Sequence, residues 1–486
     1  MSRAMPTILQ KTKKKAVSWA DEGFGHEGSG RVSGVGFAPC SRDRREVDSL
    51  HRLPRGLMQP IGSKPHLWLD WRACLLRCQS SVCLKNISRL YGAGLVAALT
   101  LFGIACSSDN NTNNPASNQI PSFNGTVFTI SLSADGSKDV YVGGDFTTYN
   151  GGQANRIVRL NADGTIDQAF VAASGFDASV RWIVPTAAQS ANVYVGGEFT
   201  SYNGVQKAHI VRLNADGTVD TSFTIGTGFD NTVNIIAPAG GGSGALYVGG
   251  AFSTYNGTPA NGLVRLNGDG TVDQSFVTGT GFDNTVLTIV PVGDGTGDVY
   301  VGGAFTLYKG IQAMRIVRLT PDGSVNFAFP TTTGFDNTVQ NMTLADDRSG
   351  NLYLGGDFTN YKGIRAIGLA RLSNSAVFDL TFVTGIGFNN TVFSVAPVGD
   401  GTGKLYAGGA FTNYNGSQSN ELVRLNQNGA KDFSFGTAAG FSDTVFKVVP
   451  VGDGSGDLYV GGRFTQYQLV QRGRFVRLTS TGALVR

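Results

Sequence analysis

Residues 140–150 read VYVGGDFTTYN, and variants of this stretch recur along the chain at a constant spacing of 53 residues. Seven Gly-Gly doublets mark the copies and begin at Gly143, Gly196, Gly249, Gly302, Gly355, Gly408 and Gly461. Each doublet is followed by a Phe, a Tyr and an Arg at fixed distances, as in Phe146, Tyr149 and Arg159. A fixed period of this size is typical of repeat proteins, in which each unit buries its faces against its neighbours. The spacing therefore predicts seven copies of one structural unit.

The residue types within one unit indicate only β-structure. In residues 282–334, Val, Ile, Tyr and Phe predict strands over 285–291, 298–305, 315–320 and 324–329, which Gly-rich and Asp-Gly turns separate. Four antiparallel strands are typical of a propeller blade, so we predict an all-β, seven-bladed β-propeller over residues 123–486. A solenoid β-helix is the alternative, but its coils are shorter and its strands are parallel.

The residues that recur in every copy are interpreted as scaffold. The Gly-Gly doublet is expected where another backbone comes close, and the recurring Phe and Tyr are expected to pack between blades. Each recurring Arg is expected to pair with an Asp eight residues later, across a tight hairpin. The predicted pairs are Arg159/Asp167, Arg212/Asp220, Arg265/Asp273, Arg371/Asp379 and Arg424/Asp432.

The last copy is shorter than the others by seven residues. The missing part falls on the outermost strand, where its loss exposes a sheet edge and leaves the core intact. We therefore expect the ring to close by packing of Phe464 and Tyr467 against residues 123–130 of the first copy.

Three copies contain a block that resembles a known repeat. The block reads RLNADGTIDQAF at 159–170, RLNADGTVDTSF at 212–223 and RLNGDGTVDQSF at 265–276. It resembles the delta-sixty repeat of bacterial secreted proteins, which implies a fold similar to β-propellers and no established activity. The Gly-Gly doublet is also similar to that of kelch blades, although the later Trp of kelch repeats is absent from these copies.

The segment before the repeats differs in charge and composition. Residues 1–105 contain 16 Lys and Arg against 7 Asp and Glu, whereas the remainder contains 23 against 28. No periodicity is visible in residues 1–83. We interpret them as an upstream extension from a mis-assigned start site, or as disordered.

Residues 84–105 have the layout of an export signal. Two basic residues precede a short apolar run, and Ala105 and Cys106 follow it. The run is too short to span a bilayer. It resembles a bacterial lipoprotein signal, which implies lipidation of Cys106 and an outer-membrane location, with plain secretion as the alternative. A polar linker, 106–122, would then lead into the propeller.

Few residues of the repeats suit metal or nucleophilic chemistry. From residue 106 onward, His209 is the only His and Cys106 the only Cys, so we expect neither a His/Cys metal cluster nor a Ser-His-Asp triad. The acidic balance also argues against nucleic acid as a partner. Two Gly-rich loops have oxygen ligands at a spacing that suits Ca²⁺, and we expect no other cofactor. The candidate ligands are Asp294, Asp298, Asp453 and Asp457.

The binding site is predicted on one face of the ring, where loops joining the second and third strands meet the links between blades. The first set of loops varies between copies and contributes Arg156, His209, Arg315, Glu421 and Arg474. The links contribute Asp177, Asp230, Asp283 and Asp336. These residues predict a rim for a glycan or for a loop of a partner protein, and the alternative is that the Asp residues cap turns locally.

These features favour a monomeric binding scaffold at the bacterial cell envelope, attached to the membrane by its lipid alone. The alternative is an extracellular hydrolase or lyase that acts on carbohydrates through carboxylates on the same face. Such an enzyme is expected to gather non-repeated acids with raised pKa values in its central cavity, whereas a binder is not.

Overall fold

The computed structural model describes residues 122–187, 189–330, 332–437 and 439–485. The predictions for residues 1–83, for the signal at 84–105 and for Cys106 lie outside the described residues. Residues 111–486 form one compact unit.

The described chain contains 35 short strands, five for each copy of the repeat. Blade 1 comprises β1 Val127–Leu132, β2 Val140–Gly144, β3 Thr148–Tyr149, β4 Gly152–Gln153 and β5 Ile157–Leu160. Blade 2 comprises β6 Val180–Pro185, β7 Val193–Gly197, β8 Ser201–Tyr202, β9 Val205–Gln206 and β10 Ile210–Leu213. Blade 3 comprises β11 Val233–Pro238, β12 Leu246–Gly250, β13 Thr254–Tyr255, β14 Thr258–Pro259 and β15 Leu263–Leu266. Blade 4 comprises β16 Val286–Pro291, β17 Val299–Gly303, β18 Leu307–Tyr308, β19 Ile311–Gln312 and β20 Ile316–Leu319.

The remaining blades repeat this order. Blade 5 comprises β21 Val339–Leu344, β22 Leu352–Gly356, β23 Asn360–Tyr361, β24 Ile364–Arg365 and β25 Leu369–Leu372. Blade 6 comprises β26 Val392–Pro397, β27 Leu405–Gly409, β28 Asn413–Tyr414, β29 Ser417–Gln418 and β30 Leu422–Leu425. Blade 7 comprises β31 Val445–Pro450, β32 Leu458–Gly462, β33 Gln466–Tyr467, β34 Val470–Gln471 and β35 Phe475–Leu478.

Each blade is an antiparallel three-stranded sheet, as in the order β1-β2-β5, and a small hairpin such as β3–β4 joins its second and third strands. The predicted fourth strand shrinks to one bridged residue, for example Ile166 opposite Leu160. It ends there because Asp167 accepts the Ala169 N–H and starts a turn. The prediction of an all-β propeller with seven blades is confirmed.

The first strand of each blade lies innermost and contacts the first strands of both neighbouring blades. β1 contacts β6 on one side and β31 on the other, so the ring of seven is closed. The inner strands therefore surround a central channel.

The Gly-Gly doublet permits two close approaches. A Cβ on Gly355 would lie 2.8 Å from Val392 of the next blade, and one on Gly356 would lie 2.2 Å from the Thr338 carbonyl oxygen of its own blade. The first Gly therefore serves packing between blades, and the second serves packing within a blade. The predicted role is confirmed in part, because the first Gly meets chiefly side chains of the next blade and the close backbone at the second Gly belongs to its own blade.

The recurring Phe and Tyr pack between blades, as predicted. Phe199 and Tyr202 lie in a core cluster that also contains Tyr141 and Ile157 of blade 1. Within blade 2 both rings pack against Phe176, with ring centroids 4.3 and 4.6 Å apart. The Tyr before the doublet, here Tyr141, enters the same junction from the other blade, because the pleat turns alternate residues of β2 to opposite faces of the sheet.

The recurring Arg links neighbouring blades. In blade 5, Arg371 Nε donates to Asp379 over 2.7 Å, and Nη1 donates to the Gln427 carbonyl of blade 6 over 2.8 Å. The five predicted Arg/Asp pairs are all present. Where the later Asp is missing, the Arg pairs with an Asp that precedes the second strand, as in Arg318/Asp298.

The ring closes, but the residues that were predicted to join blades 7 and 1 are the wrong ones. Phe464 and Tyr467 pack against Phe441 in a core cluster shared with Tyr406 of blade 6. Tyr459 and Phe475 contact blade 1 instead and pack in its core cluster. The same pleat accounts for the difference, since it directs Phe464 and Tyr467 toward blade 6 and Tyr459 toward blade 1.

Backbone and side-chain hydrogen bonds complete the closure. The Phe123 N–H donates to the Gly473 carbonyl over 3.1 Å, and Arg474 Nη1 donates to the Phe123 carbonyl over 2.6 Å. These bonds join the first and last blades directly.

We expect the junction between blades 7 and 1 to open before the others. Arg477 of blade 7 pairs with Asp457 of its own blade, whereas the six other recurring Arg residues each donate to a carbonyl of the next blade. Hydrogen exchange should therefore be faster in β35 than in β20. Equal protection of the two strands would contradict this expectation.

Candidate binding face and central channel

The hairpins and the interblade links emerge on the same side of the ring. We call this side the hairpin face and define it by residues 145–156 and 171–179 with their equivalents in the other blades. Contacts join the two sets, because Arg156 Nη1 donates to the Phe176 carbonyl over 2.8 Å. The sequence-based choice of this face as one surface is thus consistent with the contacts. The loops 133–139 and 161–164, with their equivalents, form the opposite loop face.

The four candidate Asp residues of the hairpin face cap the neighbouring hairpins. Asp177 accepts the backbone N–H groups of Thr200 and Ser201 over 2.9 and 3.0 Å, and the Thr200 hydroxyl over 2.6 Å. Burial opposes ionisation of Asp177, but these donors outweigh it and lower its pKa to about 2. The equivalent acceptors in three further blades are Asp230, Asp283 and Asp336.

Uncharged residues make the same cap in other blades. Asn389 accepts the N–H groups of Thr412 and Asn413, and Ser442 accepts those of Thr465 and Gln466. An oxygen acceptor is therefore what this position requires. The four candidate Asp residues of the hairpin face therefore cap turns locally. Asp177 is nevertheless exposed at the surface.

The candidate residues on the varying loops share an unusual backbone conformation. Their φ angles are positive: 66° at Arg156, 67° at His209, 69° at Arg315, 65° at Glu421 and 66° at Arg474. Blades 3 and 5 have Gly262 and Gly368 at this position. Non-Gly residues seldom adopt this conformation, and the strain costs about 1 kcal/mol or more.

The side chains at this position fill the junctions between blades and the ends of their own hairpins. Arg156 and Arg474 donate to carbonyls of the following blade, as described above. Arg315 Nη1 donates to the Ala304 carbonyl over 2.6 Å, and His209 Nδ1 lies 3.1 Å from the Gly197 carbonyl oxygen. The five residues therefore lie on one face, but each belongs to a different blade.

Glu421 differs from its equivalents. The residue is 7% exposed, and its Oε2 atom is buried without a hydrogen-bond partner. Burial, and secondly the charge of Asp443, raise the pKa of Glu421 to about 7. Asp443 is itself engaged by Arg463, which donates to both of its oxygens over 2.9 and 3.0 Å.

The candidate Ca²⁺ ligands lie on the loop face and engage basic side chains. Asp294 and Asp298 both pair with Arg318, at 3.2 and 2.7 Å. Asp453 pairs with Lys138 at 3.6 Å, and Asp457 with Arg477 at 3.0 Å. Within the described ranges, no three His, Cys, Asp or Glu residues are grouped as metal ligands. Calcium binding at these loops stays a prediction, and a bound ion would compete with these ion pairs.

A β-bulge places one residue of each inner strand in the channel. In β1, Val127 pairs with Gly144 and Thr129 with Gly143, so Phe128 between them has no partner. The equivalent residue is half-buried in every blade, because it faces the channel. Bulges commonly redirect a side chain in this way. We call these seven residues the channel ring; they are Phe128, Arg181, Asn234, Leu287, Gln340, Phe393 and Phe446.

The channel ring is apolar on one side. The Phe393 and Phe446 centroids are 5.2 Å apart, and those of Phe446 and Phe128 are 5.4 Å apart. Arg181 continues the row, with its guanidinium carbon 4.1 Å from the Phe128 centroid. We call Phe393, Phe446 and Phe128 the aromatic arc; they come from the consecutive blades 6, 7 and 1.

The next residue along each inner strand also varies between blades. Thr288, Asn341 and Ser394 each accept the N–H of an inner-strand residue in the following blade. The equivalents in blades 7 and 2 are Lys447 and Trp182, which meet across blade 1 with the ammonium 4.1 Å from the indole ring.

The channel-ring position and the position after it lie in the inner strands, so a comparison of the loops of the seven copies does not reveal them. A comparison of the inner strands would have found them. Residues 128 and 129 change type from copy to copy, whereas residue 130 and its equivalents are all Ile, Val or Met.

Among the described residues, no helix is long and apolar enough to cross a membrane.

Comparison with known families gives one match in every blade. The family described as "Domain of unknown function (DUF5122) beta-propeller" matches residues 140–170, 192–223, 242–276, 296–329, 348–382, 401–435 and 454–484. No curated protein matches the chain.

Solved structures with related folds include the WD40 β-propeller domain of Doa1. It is 12% identical with a TM-score of 0.49, and the alignment covers 74% of this chain and 93% of that chain. A mitotic checkpoint complex is 14% identical with a TM-score of 0.43, covering 74% and 95%. One family match lies in each of the seven blades, which supports a β-propeller repeat family for this chain.

Proposed function

We propose that this protein is an exported, lipid-anchored β-propeller that binds a ligand on its hairpin face at the bacterial cell envelope. A β-propeller generally serves as a scaffold for interactions. The observation that carries the proposal is the channel ring, whose side chains differ between blades although the surrounding scaffold repeats. A position that served only the fold would be expected to repeat with it.

The ring suits a ligand that enters from the hairpin face. Three Phe side chains are half-exposed there, and burial of such side chains contributes about 1.5 to 3 kcal/mol each. Clusters of this kind often carry most of the energy of an interface. The proposed ligand is a protein loop or a glycan. We also propose that the protein is a monomer.

The hydrolase or lyase alternative has weaker support. It requires two carboxylates that face a substrate. Asp177 and its equivalents cap hairpins, Asp443 pairs with Arg463, and Glu421 is almost fully buried. These carboxylates of the hairpin face are thus engaged or enclosed.

Export and lipidation are supported by the sequence pattern around Cys106. Mass spectrometry of the native protein should find a lipid-modified Cys106 at the N-terminus and no peptide from residues 1–83. A Cys106→Ala variant should lack the lipid and leave the membrane fraction. Recovery of a peptide from residues 41–72 would contradict the start-site interpretation.

A binding screen tests the proposed face. Residues 107–486 contain the closed ring and can be tested against envelope proteins and a glycan panel. Phe446→Ala should weaken binding about tenfold or more, because it removes the centre of the aromatic arc. Phe433→Ala is the matched control, since Phe433 is 79% exposed and lies outside the channel ring. A ligand that binds both variants like the wild type would place the site elsewhere.

A further inference from the structure

Three side chains at equivalent positions of the inner strands of blades 7, 1 and 2 carry hydrogen-bond donors for which no partner is found among the described residues. They are Lys447, Thr129 and Trp182, each one residue past the channel ring. The Thr129 hydroxyl and the Trp182 indole nitrogen are buried and have no partner. The Lys447 ammonium contacts the Trp182 ring at 4.1 Å. The three donors thus come from adjoining inner strands.

In the opposite half of the ring, the side chain at this position makes a hydrogen bond to the next blade. Thr288, Asn341 and Ser394 accept backbone N–H groups of the next blade over 3.1, 3.0 and 3.1 Å. Thr129 has the same residue type as Thr288, yet its hydroxyl makes no such bond. Buried polar groups without a partner are uncommon and call for a specific explanation.

Lys447 also has no counter-ion in the described part of the chain. The strands that pack against β31 are β1, β26, β27 and β32, and they carry no charged side chain; Tyr406 and Tyr459 are their titratable groups. Across the channel, Arg181 is paired with Glu198 over 2.5 Å. Burial lowers the pKa of Lys447 to about 8, so the amine is still mostly protonated at neutral pH.

The aromatic arc shares blades 7 and 1 with these donors. Phe446 and Phe128 precede Lys447 and Thr129 directly in the chain, and Arg181 precedes Trp182. An apolar wall therefore lies beside a cluster of donors that includes one unpaired positive charge. This combination suits a ligand with an apolar body and an anionic end.

We propose that the channel binds an apolar or aromatic carboxylate. Its carboxylate accepts hydrogen bonds from Lys447, Thr129 and Trp182, and its apolar part packs against Phe393, Phe446 and Phe128. The proposal deepens the proposed function, on which it rests, by naming the ligand chemistry at the centre of the hairpin face. The carboxylate belongs either to a free acid or to the C-terminus of a peptide with an apolar last residue.

Fluorescence tests the proposal directly, because Trp182 is the only Trp in residues 107–486. Titration with 4-phenylbutyrate should change the Trp182 emission saturably, whereas the uncharged 4-phenylbutyramide should bind about tenfold more weakly or worse. A tripeptide ending in Phe, tested as free acid and as amide, distinguishes a peptide C-terminus from a free acid. Equal binding of acid and amide in both pairs would overturn the proposal.

Substitution of the lysine supplies the second readout. Lys447→Met should weaken 4-phenylbutyrate binding about tenfold to a hundredfold, the range for losing a charge-assisted hydrogen bond. Lys138→Met on the loop face should leave binding unchanged, and equal melting temperatures would show that both variants fold. Calorimetry should confirm the affinities, since Lys447 also contacts the reporter Trp182. Unchanged affinity in Lys447→Met would overturn the proposal.

The pH dependence follows from the charge of Lys447. An anion stabilises the protonated amine, so the affinity should be constant from about pH 6, where the carboxylate of the ligand is ionised, to pH 8, and should fall above pH 8 by about tenfold per pH unit. Failure of this inference is distinguishable from failure of the proposed function. A partner from the envelope screen that binds Lys447→Met normally, and that 4-phenylbutyrate does not displace, supports the scaffold and overturns the carboxylate site.

Discussion

Replacing Gly409 by Ala should destabilise the propeller by about 3 kcal/mol or more, the upper part of the range for overpacking a core. A Cβ on Gly409 would lie 2.1 Å from the Thr391 carbonyl oxygen and 2.9 Å from the Phe411 ring. That carbonyl cannot move away easily, because it accepts the Ala410 N–H over 3.0 Å. Urea unfolding, followed by circular dichroism, measures the effect.

Gly436→Ala is the matched control from the same repeat. A Cβ added at Gly436 would lie 3.8 Å from the Thr481 carbonyl oxygen, which is its nearest neighbour. The backbone at Gly436 does not need a positive φ, so the loss should stay below about 1 kcal/mol. Similar losses in the two variants would show that the close approach at the second Gly of the doublet is unimportant.

Replacing Arg371 by Met should cost about 3 to 5 kcal/mol, the range for removing one partner of a buried ion pair. The side chains of Arg371 and Asp379 are 7% and 19% exposed. The change leaves Asp379 without its counter-ion and the Gln427 carbonyl of blade 6 without this donor. Both losses act at one blade junction, so the unfolding transition should also become less cooperative.

Arg463→Met provides the comparison, because Arg463 and Asp443 form an ion pair with side chains 58% and 41% exposed. Pairs exposed to this degree contribute at most about 1 kcal/mol. If Arg371→Met cost no more than Arg463→Met, the recurring Arg would not hold the blades together.

Much of the fold was predictable because it repeats. A feature that occurs seven times must satisfy the same local requirement seven times, so its spacing can be read directly from the chain. The Arg371/Asp379 pair illustrates this, since both residues lie on neighbouring segments of one blade and their distance depends only on a short turn. The hairpin caps were also accessible, although the sequence could not choose between capping by Asp177 and ligand binding by it.

The candidate site was harder to predict because its residues are not neighbours in sequence. Phe128 and Phe446 are in contact only because the ring closes, which brings the first and last blades together. The bulge that turns Phe128 into the channel depends on pairing between β1 and β2 and leaves no mark in composition. For the same reason the closure residues were predicted wrongly at Phe464 and Tyr467.

The amino-acid sequence by itself determined the number of blades, the strands, the Gly-Gly contacts and the Arg/Asp pairs, because these depend on interactions within one repeat or on its period. The tertiary structure alone decided which faces of the strands meet at a junction, how the ring closes, and which side chains share the channel. These depend on pleat, bulge and closure, which set the direction of a side chain in space. Lys447 shows the difference, since its strand β31 lies far from β1 in the chain and becomes adjacent to it only in the closed ring.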